Sequence, residues 1–422
     1  MIVCLLFLFM VKRDKAIYPL ILLLIAIPSA QRFILLDLDF SFIRLAIFAG
    51  FARVIFRKEY VGFKFELPDK LMLCWMVWSI LAFTFLVGEL SGAVTRIGYM
   101  VEVVGAYFLA RLFVRSLGNI VKLVNLIGIA SIPMLILFSI ERVTGRNLFA
   151  EFGGVPDFTL VRDGRLRCQG PFSHPIMAGV FWANLLPWLA AMWVTKLIPK
   201  PRIAIYALCT IGIIANTASS TPVMAVIFGA IGFAFYFIRQ YMSVVRWGIL
   251  GSLIILHFVM EAPVWHLMAR LNVVGGSTGW HRFYLIDKAV EHFWDWWLVG
   301  VRSTSYWGAG LGDVTNQFIL EGVRGGILGV ILYMCLFFSI FWIIGKGMKA
   351  SKMRSMLFVL WASGTVVFVN FISFTAVSYF GQMNAALSIF LGISVSLAVE
   401  SINLKKKKRQ ICQESSSVIS NA

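Results

Sequence analysis

The sequence is poor in charge. Asp, Glu, Lys and Arg make up 14% of its 422 residues, whereas an ordinary soluble domain carries about 25%. The shortage falls on one sign, with 20 acidic residues against 38 Lys and Arg. Hydrophobic residues reach 60%, and mean hydropathy is +0.85. These values exclude a soluble globular enzyme and a disordered polar chain. Cysteine is scarce too, six in all, which excludes a disulfide-stapled secreted domain. Cys4, Cys74, Cys209 and Cys335 fall in apolar runs, Cys412 near the C-terminus, and only Cys168 in a long polar loop. No GxxxxGK[ST] loop, HExxH motif, CxxC pair or Cys/His cluster with metal spacing occurs. Nucleotide hydrolysis and a catalytic metal are therefore unsupported, and no cofactor is expected.

What is present is apolar sequence in lengths that match a bilayer. About 20 apolar residues cross its hydrocarbon core as a helix. Twelve such runs follow residue 16, at 17–30, 41–56, 71–88, 96–113, 122–140, 174–195, 203–218, 222–238, 247–262, 317–345, 355–372 and 381–401. The expected fold class is an all-α polytopic membrane protein with two long extracytoplasmic loops, 141–173 and 263–316, the larger between the ninth and tenth spans. Residues 1–11 are apolar but too short to cross alone. No basic residues precede them and no small-residue cleavage site follows, so an interfacial or partial span is expected rather than a signal peptide. The expected organisation is an apolar segment and basic turn at 1–16, a polytopic domain at 17–401, and a basic tail at 402–422.

Charge sets the orientation. The segments 12–16, 57–70, 111–122, 196–202, 239–246, 346–354 and 401–422 together hold 24 basic and five acidic residues. The loop 141–173 holds five and four, and 263–316 holds four and four. The formal charge of +18 thus gathers on one side, which the positive-inside rule assigns to the cytoplasm. Both termini are expected there. The run Lys405 to Arg409 suits anionic lipid headgroups rather than nucleic acid.

Polar chemistry gathers in the two long loops. The first places Arg162, Arg165 and Arg167 within six residues, shortly before a span. Ser173 and Pro175 suit a helix start, a capping side chain and then proline in the first turn. That sets His174 at the positive end of the helix. A helix N-terminus beside arginines binds anions readily. A solvated basic loop ahead of a capped helix has the same sequence signature.

In the second loop, Phe283, Ile286, Val290 and Phe293 recur at helical spacing. An amphipathic helix on the membrane surface is expected, with Trp294, Trp296 and Trp297 at headgroup depth. Arg282 sits near its start, as a snorkelling residue or a ligand contact. After Gly308-Ala309-Gly310-Leu311-Gly312-Asp313, Thr315 or Asn316 can cap the next span. Glu321 and Arg324 follow, three apart on one face, where charge requires a polar cavity or a partner. The alternative is a self-contained ion pair. Gly325, Gly326 and Gly329 suit helix packing. The turn Ala218-Ser219-Ser220-Thr221-Pro222 either lines a cavity or simply turns. Within the spans, Glu102 needs a partner, and Arg44 and Arg53 add charge of the other sign. Asp37 and Asp39 occupy a short loop.

Four arginines and two helix starts favour a polyanion at membrane depth, best a pyrophosphate carried on a lipid. Its expected contacts are Arg165, Arg167, Arg282, Arg324 and Asn316. Arg282 would also assist the phosphate leaving group. The base for a sugar hydroxyl is His174, Asp313 or Glu321.

The pattern Arg165-x-Arg167-x-x-Gly170-x-Phe172-x-His174-Pro175 opens a span. Arg282 lies in the larger loop, and Gly310, then Asp313 through Gly329, follow it. This arrangement resembles the O-antigen ligase and O-antigen polymerase superfamily. The resemblance covers roughly residues 150–400, and the earlier spans by topology only. It implies an inverting, metal-independent glycosyltransferase of the bacterial inner membrane, acting on its outer side. The donor it implies is a glycan on undecaprenyl pyrophosphate, held through Arg165, Arg167 and Arg282. A flippase and a chain-length regulator are the implied protein partners. Ligases of the superfamily carry His-Asn, nine residues, then Gly-x-x-Gly. Here Asn316, Gly326 and Gly329 keep that spacing, but Thr315 takes the place of the histidine. Threonine is no base at neutral pH, so polymerisation of lipid-linked repeats is favoured over ligation to lipid A. A twelve-span transporter is the remaining alternative, and no internal repeat supports it.

Overall fold

The structure, a computed structural model, describes residues 2–35, 38–267 and 279–420. Asp37 and the segment 268–278 of the larger loop lie outside those residues. The helices are α1 Ile2–Met10, α2 Tyr18–Ala26, α3 Phe42–Phe56, α4 Leu67–Val87, α5 Leu90–Phe113, α6 Leu117–Thr144, α7 Pro175–Ala183, α8 Leu185–Thr195, α9 Lys200–Asn216, α10 Ser220–Ala234, α11 Met242–Val259, α12 Gly279–Glu291, α13 Phe293–Trp296, α14 Gln317–Ala350, α15 Arg354–Ser373 and α16 Gln382–Ser420. Two antiparallel hairpins join them: β1 Arg32–Leu35 with β2 Leu38–Ser41, and β3 Leu160–Arg162 with β4 Arg165–Arg167.

Among the described residues, eight helical stretches are long and apolar enough to cross a membrane: 67–87, 90–113, 117–144, 175–195, 220–259, 317–350, 354–373 and 382–414. The chain is a helical, multi-pass membrane protein. The remaining apolar runs fold as shorter helices. Those at 17–30, 41–56 and 203–218 become α2, α3 and α9, of 9, 15 and 17 residues. The runs 222–238 and 247–262 share one continuous stretch. It is broken by the 3-10 segment Phe235–Tyr241, where Ile238 leaves helical geometry (φ −108, ψ 18). The expected start of the tail at 402 falls inside α16, which continues to Ser420. Lysine and arginine are good helix formers, so the basic run does not end the helix.

Helix α16 forms the core. From Ala385 to Ala398 each side chain is buried, against α5, α14 and α15. Ser388, Ser394 and Ser396 share this buried surface, which suits packing against helices rather than lipid. Small residues let it approach its neighbours: a Cβ on Gly392 would stand 2.6 Å from the Tyr107 carbonyl of α5. Three ion pairs lie in or beside the spans. Glu102 meets Arg44 at 3.0 Å, Glu59 meets Arg53 at 2.8 Å, and Asp69 meets Arg111 at 2.8 Å. Pairing removes much of what an isolated charge would cost there.

Helix α14 is broken. Gly326 has φ 64 and ψ −171, so 317–325 is a separate arm and 327–350 the span proper. The preceding loop fills the gap. Val301 N–H donates to the Val323 carbonyl at 2.9 Å, and Ile327 N–H to the Trp297 carbonyl at 2.8 Å. Trp78 Nε1 donates to the Gly325 carbonyl at 2.7 Å. The groups freed by the break are thus satisfied. Gly325 and Gly329 pack beside Trp78, as small residues in a helix interface do. Gly326 has another role: its φ suits glycine, and a Cβ there would overlap the Leu298 carbonyl. Gly326→Ala should cost about 1–3 kcal/mol of stability. Gly345→Ala, in the same helix and with nothing within 4 Å of the added carbon, should gain up to about 1 kcal/mol. Thermal midpoints of the two purified variants compare them, and equal midpoints would remove the special role of Gly326.

The larger loop has a small core of its own over this arm: Leu285, Ala289, Trp296, Trp307, Leu311, Val314 and Val323. The helix expected here is present as α12. Leu285 and Ala289 pack into that core, and Val290, on the stripe expected to face the membrane, is exposed. Of the three tryptophans, Trp294 and Trp297 are exposed. Trp296 is buried and donates to the Ala289 carbonyl at 2.8 Å.

Candidate anion site at the loop end of the bundle

The site is assembled from the two long loops and the short turn between α9 and α10. In the first loop, Asp163 and Gly164 both take positive φ, 51 and 70, the backbone of a two-residue hairpin turn. Register follows from it: Arg162 pairs with Arg165, and Leu160 with Arg167. Directly paired residues and residues two apart share a face. Arg162, Arg165 and Arg167 therefore project from one side of the hairpin. Like charges directly opposed destabilise a strand pair, and an anion between them relieves that repulsion.

Arg167 is the buried member of the three. Its Nη2 donates to Ser219 Oγ at 2.7 Å. Its Nε is buried and finds no acceptor among the described residues. Arg282, on α12, donates from Nε to the Ala376 carbonyl and from Nη2 to Thr221 Oγ1, both at 3.1 Å. Ser219 and Thr221 are two residues apart, so the turn between α9 and α10 holds both guanidiniums. That turn therefore links the two long loops through side-chain hydrogen bonds. Neither arginine has a carboxylate within ion-pair distance among the described residues. Burial and, after it, the charge of Arg162 lower the pKa of both. Arg162 is thus a near neighbour of both. The register that pairs it with Arg165 is the signal in the sequence that would have added it to the site.

His174 caps α7. Its Nδ1 accepts from Ile176 N–H at 3.1 Å. Ser173, the expected cap, instead shares a 2.8 Å hydrogen bond with Ser29. Burial, then Arg167 and Arg162, pull the His174 pKa down to about 4, so the ring is neutral at pH 7. Because Nδ1 accepts, the proton of the neutral ring is assigned to Nε2. With Nε2 a donor and the Nδ1 lone pair taken by Ile176 N–H, the case for His174 as a base is weakened. The folded pKa lies below the ordinary 6.5, so the unfolded chain binds more protons on acidification. The contribution is complete above about pH 6.5 and is lost as pH falls toward 4. His174→Asn keeps a cap and does not titrate in that window. Its thermal midpoint should fall less between pH 7 and pH 4.5 than the wild type's; parallel curves would refute the assignment.

The other expected residues separate. Asn316 caps α14, accepting from Phe318 and Ile319 N–H at 3.0 and 3.2 Å and donating to the Thr375 carbonyl at 3.4 Å. Its oxygen serves the cap, and its amide nitrogen, the atom that could donate to a phosphate, meets the Thr375 carbonyl. Glu321 is buried and accepts from Trp75 Nε1 at 3.1 Å and Gln317 Nε2 at 2.8 Å. Its charged partner is Arg96, at 3.9 Å, not Arg324. That network ties the arm to α4 and α5, and no hydrogen bond links it to Arg167, Arg282 or His174 among the described residues. Arg324 is half-buried, and Arg165 and Asp313 are exposed. Spacing at i, i+3 suggested the wrong pair because Trp75, Gln317 and Arg96 take up the Glu321 carboxylate instead.

One residue was missed. His281, next to Arg282, has Nε2 at 3.2 Å from the Gly310 carbonyl and Nδ1 at 3.5 Å from Thr315 Oγ1. The loop that receives Arg282 at Ala376 also receives Asn316 at Thr375, so the imidazole and the guanidinium belong to one neighbourhood. Among the described residues, no three His, Cys, Asp or Glu side chains gather as a metal-ligand group. The arrangement can hold a compact polyanion between Arg162, Arg167 and Arg282, at the N-termini of α7 and α10. No protein-family model and no curated protein sequence matches the chain.

Proposed function

We propose that the chain is a membrane glycosyltransferase that polymerises oligosaccharide repeats carried on undecaprenyl pyrophosphate, on the outer side of the bacterial inner membrane. The observation that carries the proposal is Arg167. A buried guanidinium with an unpaired Nε, beside Arg162 and Arg282 and without a carboxylate, is a group awaiting acceptors. A pyrophosphate supplies several. Arg165 extends the same face of the hairpin toward it. In the reaction, an acceptor hydroxyl oxygen bonds to the anomeric carbon of the donor. The bond from that carbon to the pyrophosphate breaks, and the leaving group departs with the electron pair. The arginines stabilise the charge that develops on it. The hydroxyl proton goes to a base.

In this proposal α10 and α11 count as two crossings, and α2, α3 and α9 complete a twelve-span layout. The basic turns and both termini face the cytoplasm. Flippase and chain-length regulator proteins are the partners. The test is direct. The purified full-length protein, given lipid-linked repeats isolated from a strain lacking the gene, should lengthen them without ATP or divalent cation. Intact substrate with no lengthening would refute the proposal. The glycans of the deletion strain separate it from ligation: single lipid-linked repeats indicate a polymerase, long lipid-linked chains a ligase.

A further inference from the structure

We propose that His281 is the proton acceptor for the incoming hydroxyl, an inference that rests on the glycosyltransferase reading above. The argument is geometric. An imidazole acts as a base only if one nitrogen is held as a donor and the other keeps an exposed lone pair. A backbone carbonyl can only accept. The 3.2 Å contact of His281 Nε2 with the Gly310 carbonyl therefore places the proton of the neutral ring on Nε2. Nδ1 is left as the lone-pair nitrogen. Its nearest polar neighbour, Thr315 Oγ1, stands at 3.5 Å, beyond the usual range for a hydrogen bond to a hydroxyl. A substrate hydroxyl that displaces this weak contact can donate to Nδ1 in its place.

The other candidates lack this arrangement. The His174 lone pair on Nδ1 is spent on the Ile176 N–H. The Glu321 oxygens are held by Trp75 and Gln317 and are buried. Asp313 is exposed, and among the described residues no side-chain hydrogen bond orients it. His281 is half-buried, held to the loop Gly308–Asp313 through the Gly310 carbonyl, and immediately precedes Arg282 on α12. Gly310 has φ 77, the left-handed region that glycine favours, and this turns its carbonyl toward the ring.

The proton balance is complete. The hydroxyl oxygen bonds to the anomeric carbon, its proton passes to His281 Nδ1, and the pyrophosphate leaves with the electrons of the broken bond. His281 then returns the proton to solvent. No oxidant, reductant or metal enters.

The experiment uses full-length protein in lipid nanodiscs and lipid-linked repeats from the deletion strain, with kcat and KM measured separately. His281→Gln keeps an amide donor for Gly310 but has no basic nitrogen. Its kcat should fall about a hundredfold, with KM within threefold of wild type. In His281→Ala, added imidazole should restore a large part of the rate, which a purely structural role would not allow. A wild-type kcat in His281→Gln overturns the inference. So does a slow His281→Ala that imidazole does not accelerate. Failure of the wild-type protein itself to lengthen the substrate overturns the reading beneath it, and the inference with it. An active wild type with an unimpaired His281→Gln overturns the inference alone.

Discussion

Arg282→Ala should lower the rate of chain lengthening about a thousandfold, the upper range for removing one preorganised donor at a developing charge. The protein should still accumulate in the membrane. The contrast follows from what the side chain touches. Its two structural hydrogen bonds go to a carbonyl and a threonine hydroxyl, each worth about 0.5–1.5 kcal/mol net. No carboxylate is left unpaired by its removal. The loss of folding stability is therefore small, and the loss of transition-state stabilisation is large. Arg282→Lys should also impair the rate, because a point charge cannot serve Ala376, Thr221 and a phosphate oxygen together. Arg167→Ala should act in the same direction. If both guanidiniums hold one pyrophosphate, the double variant will be much less damaged than the product of the two single effects. Lengthening at the wild-type rate by Arg282→Ala would remove the site.

The polytopic helical fold was legible because bilayer-length apolar runs carry their own signal. Crossing helices formed in most of those runs, and three runs became helices too short or too marginal to count by length. The site was legible in composition and not in geometry. Arg165, Arg167 and Arg282 stood out as arginines in nearly neutral loops. Arg162 and the turn with Ser219 and Thr221 were visible as separate features and His281 was not; strand register and the fold of the larger loop bring them together. The Glu321–Arg324 pairing failed for a physical reason: helical spacing puts two charges on one face, but donors from α4 and α5, Trp75 and Arg96, reach the Glu321 carboxylate first. Thr315 had marked the neighbourhood as lacking a base. The imidazole comes from a different helix, at 3.5 Å.

Asp69→Ala should cost about 3–5 kcal/mol, the range for removing one partner of a buried ion pair, and most of the protein should be lost from the membrane. The sequence placed Asp69 and Arg111 in basic turns, as part of a charge asymmetry. The structure places both inside the bundle, at the start of α4 and near the end of α5. Asp69 Oδ1 accepts from Arg111 Nε at 2.8 Å and Tyr107 Oη at 2.7 Å, and Oδ2 accepts from Arg111 Nη2 and Glu66 N–H, both at 2.8 Å. The last contact closes a capping box at the start of α4. Arg111 also reaches Ser396 on α16 at 3.3 Å, so one carboxylate fastens α4 to α5 and, through Arg111, to the central helix. Removing it strands a guanidinium with 4% of its side chain exposed. The cost is that of the uncompensated charge, not of the bond. Asp69→Leu combined with Arg111→Met should therefore be far more stable than Asp69→Ala, because no charge is left behind. Fluorescence-detected size exclusion and thermal midpoints measure both. A double variant no better than the single would mean that the capping box, rather than the ion pair, holds this junction together.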